Sequence, residues 1–342
     1  MSNSANTTLI PAELMQDVFE KILLENGMPH DRSLSCAEIF TQNSIDGVYT
    51  HGVNRFPRFV QYLRDGYIVA DAEPTLAHKF GGIEQWDGNL APGPINALFA
   101  TDRALELAHA HGIACVSLAN TNHWMRGGTY GWKAAKAGFI FIGWTNTIAN
   151  MPAWGALDAK LGNNPFVMAI PYGDEAIVLD MAMSQYSFGA LEQAAMKAET
   201  LPVPGGYNAA GELSTDPAGI LETGRSIPIG FWKGAGFSLL LDILATILSG
   251  GASTHELSKT KVEYGVSQVF IAIDPQKLGN HAAIARMLED IIQDYHASLP
   301  MNEKQKISFP GERILATRTR NLAQGIPVLQ KVWAEIEGLM SM

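Results

Sequence analysis

The sequence predicts an α/β fold with a mixed sheet, a helical N-terminal region and a helical C-terminal region. Three observations lead there. From about Asn96 to Ile273, short apolar runs alternate with helical patterns. The segments before and after that zone read mainly as helix. Hydrophobic residues make up 47% of the 342, enough to bury a sizeable core.

The elements follow in order. Pro11 suits the first turn of a helix running to about Asn26, where Gly27 stops it. A second helix covers roughly Asp31 to Ser44, and a third follows Asn54. Thr75–Phe80 and Gly82–Asp87, joined around Gly81, predict a β-hairpin. A helix over Ala97–His109 precedes a strand at Ile113–Leu118. A helix over Gly128–Ala137 precedes one at Phe139–Trp144. Phe166–Ile170 and Ala176–Leu179 are strand-like, and an amphipathic helix spans Tyr186–Ala198. The Gly- and Pro-rich residues 201–228 read as a long ordered loop. Phe237, Leu240, Leu241, Leu244 and Leu248 keep helical spacing within a helix over 233–249. A strand at Val266–Ile273, a helix at His281–His296, and helices over Glu312–Ala323 and Pro327–Leu339 complete the chain.

Composition narrows the function. Lys and Arg number 24 against 34 Asp and Glu, a net charge of −10. That leaves no basic excess for nucleic acid. Two cysteines, Cys36 and Cys115, exclude a disulfide framework and read as buried reduced thiols. The first residues lack a basic and an apolar segment of the secretory kind. The most apolar stretch, Phe237–Leu248, is short and interrupted by Asp242. A soluble cytoplasmic protein is expected. Trp86, Trp132, Trp144 and Trp154 read as core or interface aromatics.

Familiar motifs are missing. The chain has no GxGxxG, no Walker A loop, no HExxH and no GxSxG. An ordinary Rossmann dinucleotide fold is therefore disfavoured. His109 and His111 end a helix before Gly112, where imidazoles suit the helix dipole better than a metal.

Three constellations carry chemistry. Projected as a helix, His51, Arg55, Arg58 and Tyr62 fall within an arc of about 60°, opposite an apolar stripe of Phe56, Phe59, Val60 and Leu63. Arg presents a fork for a carboxylate, and His titrates near neutrality. Pro57 limits that helix to starting just before it, with Asn54 as its cap. Second, Asn120–Gly128 carries His123 beside Trp124 at a strand's C-terminal end, where open α/β sheets bind ligands. Third, helix starts at Trp232–Gly236 and Phe309–Arg313, with Lys233, are ready anion sites. Asn163–Pro165 and Leu179–Ser184 flank strands nearby.

Together, THGVNRFPRF, NTNHWMRGG, NNP, LDMAMS, WKGAG and PGER resemble the type-2 malate/L-lactate dehydrogenase family over about residues 12–336. The resemblance implies a non-Rossmann nicotinamide-binding fold, a homodimer, and a site near the subunit interface. It implies hydride transfer between NADH (or NADPH) and a small 2-oxo acid, with no metal. His51 or His123 would be the proton donor, two assignments that compete. Thr50, Arg55, Arg58 and Tyr62 would bind substrate, with Thr at position 50 where many members have Ser. Ala176, Ile177, Val178, Leu179, Asp180, Met181 and Ala182, with Trp232, Lys233, Gly311, Glu312 and Arg313, would bind the cofactor. Residues 1–75 and 280–342 would form an interwoven helical substrate and dimer region. Residues 76–279 would form the α/β NAD(P)-binding region. Within the family, ureidoglycolate, malate, L-lactate and sulfolactate are alternative substrates. Remoter readings are a metal-dependent sugar-acid lyase or hydrolase and a non-catalytic oxo-acid binder.

Overall fold

The computed structural model describes residues 7–279, 281–303 and 305–340. The N-terminal part is β1 (Thr7–Ile10), α1 (Ala12–Glu25), α2 (His30–Ile45), a 3-10 turn at Tyr49–His51, and α3 (Phe56–Arg64). The middle part runs β2 (Thr75–Phe80), β3 (Ile83–Asp87), α4 (Gly93–His111), β4 (Ile113–Thr121), α5 (Gly127–Lys136) and β5 (Ile140–Thr145). Next come β6 (Ala149–Pro152), β7 (Ala159–Gly162), β8 (Phe166–Tyr172) and β9 (Glu175–Met181). After these lie α6 (Phe188–Met196), β10 (Gly206–Tyr207), β11 (Leu213–Ser214), α7 (Pro217–Thr223), α8 (Trp232–Ser249), α9 (Thr254–Leu257) and β12 (Val266–Ile273). The last elements are α10 (His281–His296), α11 (Glu312–Gln324), β13 (Ile326–Leu329) and α12 (Gln330–Leu339).

Seven strands form the central sheet in the order β2-β3-β4-β12-β5-β8-β9. Only β3 and β4 pair in parallel, and α4 is the crossover between them. The other neighbours are antiparallel. Side chains alternate across each strand, so the sheet builds two cores. Val116, Leu118, Phe141, Val167, Val178 and Phe270 face α4 and α5. Trp144, Phe166 and Val269 face α8.

A separate core joins the two chain ends. Phe19, Phe40 and Phe56 pack with Ile326, Trp333 and Ile336, and β1 pairs with β13. Phe19 and Phe56 stack with ring centroids 4.0 Å apart. Burying each such ring contributes about 2–3 kcal/mol.

Several sequence expectations need correction. Residues 201–228 are not a plain loop: they hold the β10–β11 hairpin and α7, which closes with α6 over Leu191, Leu201 and Ile220. Pro327 does not open a helix but sits in β13, because pairing with β1 captures that segment. Trp154 is 47% exposed, tilted against Phe231, although Trp132 and Trp144 are buried and Trp86 is half-buried. Cys36 is a buried free thiol and Cys115 only half-buried. The short pairs β1–β13 and β6–β7 carry too few residues to show a period.

Helix α8 is the one described helix long and apolar enough to cross a membrane by composition. It is not all apolar in its contacts. Asp242 accepts from Asn146 Nδ2 at 2.9 Å and from the Thr254 N–H at 2.8 Å. One face packs on the sheet through Leu241 and Ala245, while Leu240, Ile243, Leu244 and Ile247 are exposed.

Asp46, just past α2, ties the terminal core to the sheet. Arg318 of α11 donates to it from Nε at 2.7 Å and Nη2 at 3.1 Å, and Arg126, at the start of α5, also donates to it. Burial alone would raise the Asp46 carboxyl. The Arg318 hydrogen bonds and the two positive charges outweigh it and hold the group below the usual carboxylate range. Removing one partner of such a buried cluster strands the others. Asp46→Ala is predicted to lose about 3 kcal/mol of stability in urea unfolding. A loss near zero would show that solvent replaces the carboxylate.

Candidate functional site

The two cores meet at a cavity of about 720 Å³. That is large enough for a small acid and part of a cofactor. The 3-10 turn at Tyr49–His51 forms one wall. Asn43 Nδ2 donates to the His51 carbonyl at 2.9 Å, and the Val53 N–H donates to Ser44 Oγ at 2.8 Å. Gly52 permits this approach, because a Cβ there would lie 2.3 Å from Ser44 Oγ. The loop after β4 forms the opposite wall. Asn122 Nδ2 donates to the carbonyls of Tyr67, Leu90 and Ala91 at 2.8–3.2 Å, which fixes His123 beside it.

The cavity brings His51 and His123 together. Their rings stack with centroids 5.7 Å apart and an interplanar angle of 16°. Thr50, Arg55, Arg58 and Tyr62 line the same cavity. The reason differs from the helical projection. Helix α3 begins at Phe56, Arg55 rather than Asn54 is its cap residue, and Pro57 lies in its first turn. His51 therefore belongs to the preceding turn, and only Arg55, Arg58 and Tyr62 keep helical spacing. Nor does Trp124 face His123. It is fully buried against Tyr130 and Phe270, and His51 is the flat ring that His123 meets.

The two imidazoles are bonded differently. His123 Nδ1 accepts the Met125 N–H at 3.0 Å. An accepting nitrogen holds no proton, so the neutral ring carries its hydrogen on Nε2. A second proton would have to displace that backbone donor. His51 Nδ1 lies 3.0 Å from Thr50 Oγ1, a hydroxyl that can either give or take a hydrogen bond. His51 is thus free to change protonation state where His123 is not. Burial, then the charges of Arg55 and Arg126, press His51 down to about 4. Burial, Arg55 and His51 press His123 well below the ordinary histidine value.

Arg55 and Arg58 make no ion pair within 4.0 Å among the described residues. They stand ready for an anion. Arg126 is buried and lines the cavity. Its Nε is 3.8 Å from Asp180, and its Nη2 is buried with no hydrogen-bond partner. Asp180 accepts the Gly128 N–H at 2.8 Å, and burial raises its carboxyl.

The expected cofactor residues are divided. Asp180, Met181 and Ala182 line the cavity. Ala176 and Val178 are buried in the core beneath α5, and Ile177 and Leu179 are half-buried on the alternate face of β9. Trp232 and Lys233 lie exposed at the start of α8, outside the cavity lining. Gly311, Glu312 and Arg313 open α11 against β9, where the Val178 N–H donates to the Pro310 carbonyl at 3.0 Å. Glu312 is engaged by His296 at 2.9 Å and Lys306 at 3.0 Å.

Sequence reasoning missed Arg126 as a site residue, although it stands in the quoted loop. It also missed Glu192 and Glu263, which line the cavity from distant segments. No local pattern marks either carboxylate. His109 does not look to a metal: Nδ1 lies 3.4 Å from Asp274, and no group of three ligating side chains gathers among the described residues.

The His51 shift sets a pH dependence. An unfolded histidine binds its proton below about 6.5, the folded one only below about 4. Between those values the unfolded chain holds more protons, so stability falls as pH drops. Urea unfolding from pH 7 to 4 is predicted to show that loss, and His51→Gln to flatten its slope. An equal slope in the variant would contradict the assignment.

The malate/L-lactate dehydrogenase family model matches residues 10–337. The 2,3-diketo-L-gulonate reductase of Citrobacter koseri is 44% identical over 96% of this chain and 98% of its own. A malate dehydrogenase from Pyrococcus horikoshii is 25% identical, with TM-score 0.89 over 99% of this chain and 96% of that one. One from Entamoeba histolytica shares the fold at TM-score 0.92 and 22% identity, each chain covered over 98%. The chain belongs to the malate/L-lactate dehydrogenase family. It is an oxidoreductase of hydroxy and oxo acids, a class that implies a nicotinamide cofactor.

Proposed function

We propose that this member of the malate/L-lactate dehydrogenase family reduces 2,3-diketo-L-gulonate to 3-keto-L-gulonate with NADH, in the cytoplasm. The observation that carries the reading is the stacked His51–His123 pair in one cavity with Arg55 and Arg58. The 44% identical relative named for that reaction supports the choice of substrate. NADPH in place of NADH in the same assay tests the choice of reductant.

The residues present fit a dinucleotide. Strand β9 is the edge of the sheet, so its outer backbone groups are open beyond the Pro310 contact. Asp180, Met181 and Ala182 carry that edge into the cavity, beside the unpartnered Arg126 Nη2. In this reading residues 176–182 hold the cofactor, joined by Trp232, Lys233 and the Gly311–Arg313 turn. The helical ends, 1–75 and 280–342, serve the substrate, whereas the dimer face proposed below lies on α8, within the 76–279 cofactor region.

When bound, the reduced nicotinamide supplies the hydride. The protein supplies position, charge and a proton. Arg55, aided by Arg58, forks onto the substrate carboxylate. Burial and then the Arg55 charge disfavour a proton on His51; the bound carboxylate offsets the second, so His51 takes up a proton as the acid binds. His123, fixed with hydrogen on Nε2, donates a hydrogen bond that orients the carbonyl. His51 then delivers its proton to the carbonyl oxygen as charge develops there. Thr50 holds the other ring nitrogen of His51.

We also propose a homodimer. The exposed row Leu240, Ile243, Leu244 and Ile247 on α8 suits a second copy, since so many adjacent apolar side chains favour burial. Paired Leu240→Glu and Ile247→Glu substitutions are predicted to give a monomer by sedimentation velocity. An unchanged mass would place the interface elsewhere.

The functional test follows NADH absorbance with 2,3-diketo-L-gulonate. His51→Gln is predicted to lower kcat by about 10²–10⁴. Arg55→Lys is predicted mainly to raise KM, because a point charge replaces a fork. Near-normal turnover in His51→Gln would overturn the proton-donor assignment.

A further inference from the structure

We propose that Glu263 is a specificity-determining residue that accepts hydrogen bonds from the hydroxyls of the substrate's tail. The inference rests on the reading of the protein as a reductase of a hydroxylated 2-oxo acid, and it names how that acid is told from its relatives.

Glu263 lies between α9 and β12, far in sequence from both histidines. One carboxylate oxygen, Oε2, accepts the Ile148 N–H at 3.1 Å, which anchors the side chain to the cavity wall after β5. The group is half-buried, lines the same cavity as His51 and Arg55, and makes no ion pair within 4.0 Å among the described residues. Burial raises its carboxyl, while the charges of Arg55 and Arg58 favour its ionised form. An ionised carboxylate is an acceptor only. A ligand hydroxyl set against it supplies a donor.

The charges in the cavity define that ligand. Arg55 and Arg58 suit one carboxylate. Glu263 and Glu192 line the same cavity, as do Lys261 and Arg126, and a second carboxylate set against the two acids would meet like charges. Neutral hydroxyls offer donors to both without that repulsion. Beside Glu263 and Glu192 the cavity thus suits the polyol tail of a monocarboxylate better than a second carboxylate. A site built to bond hydroxyls loses affinity for analogues without them.

The test uses Glu263→Gln, whose amide oxygen still accepts the Ile148 N–H, and Glu263→Asp as a second variant that keeps the charge on a shorter arm. Titration calorimetry of the whole protein with NAD⁺, which cannot reduce an oxo acid, reads Kd for 2,3-diketo-L-gulonate and for 2-oxobutanoate, which has the acid head and no hydroxyls. The expected result is a rise of about tenfold in the ratio of the first Kd to the second, in both variants. An unchanged ratio overturns the proposal, whether both constants rise or neither moves. If both rise together, Glu263 merely positions Arg55. The ratio does not depend on turnover. Absent NADH oxidation by the wild-type protein with diketogulonate would instead overturn the functional reading.

Discussion

The site depends on how little positive charge its cavity tolerates. Two half-buried imidazoles stack 5.7 Å apart beside guanidinia in one cavity. At that separation, with an effective dielectric near 20, two charged rings would repel by about 3 kcal/mol. Arg55 adds to the penalty on both. Burial first, and then the guanidinia, favour the neutral rings, and in the proposed mechanism an anion at Arg55 offsets the second of these. That proposal ties proton uptake to binding the acid. The proposed choice of His51 rests on bonding: the Met125 N–H occupies one nitrogen of His123, whereas Thr50 can adapt to either state of His51.

The fold supplies this arrangement from two separate cores. His51 comes from the turn beside the terminal core, where Asn43 of α2 donates to its carbonyl and Ser44 accepts the Val53 N–H. His123 comes from the end of a central strand, held by Asn122. Asp46 spans the two through Arg126 and Arg318. Arg318 also lies 5.0 Å over the Trp132 ring, in the core beneath α5. The geometry of the imidazole pair is thus set by packing between cores, not within either one.

Much of this was legible in the sequence, and the exceptions have physical reasons. Long helices such as α2 and α4, and the strand β12, declare themselves by period and apolar content. The run from His51 to Tyr62 was legible as chemistry but not as shape, since Pro57 restricts the helix to a start at Phe56 and leaves His51 in its own turn. His123 was legible as a strand-end residue, but its stacking on His51 joins positions 72 residues apart, which no local pattern encodes. Glu263 and Glu192 carry no motif, and only the folded chain sets them in the cavity. Residues 201–228 looked like loop because Gly and Pro mask a two-residue-strand hairpin and a seven-residue helix. The terminal pair β1–β13 is too short for periodicity and depends on the two ends meeting.

In the proposed mechanism the two rings divide the labour, and their tautomers report on it. Nitrogen-15 NMR of histidine-labelled protein resolves the protonation of each ring nitrogen, with and without oxamate, a non-reducible mimic of the acid head, and NADH. His123 is predicted to stay neutral with hydrogen on Nε2 in both states, while His51 gains a proton when oxamate binds. A doubly protonated His123 in the complex, beside a His51 that never charges, would contradict the account.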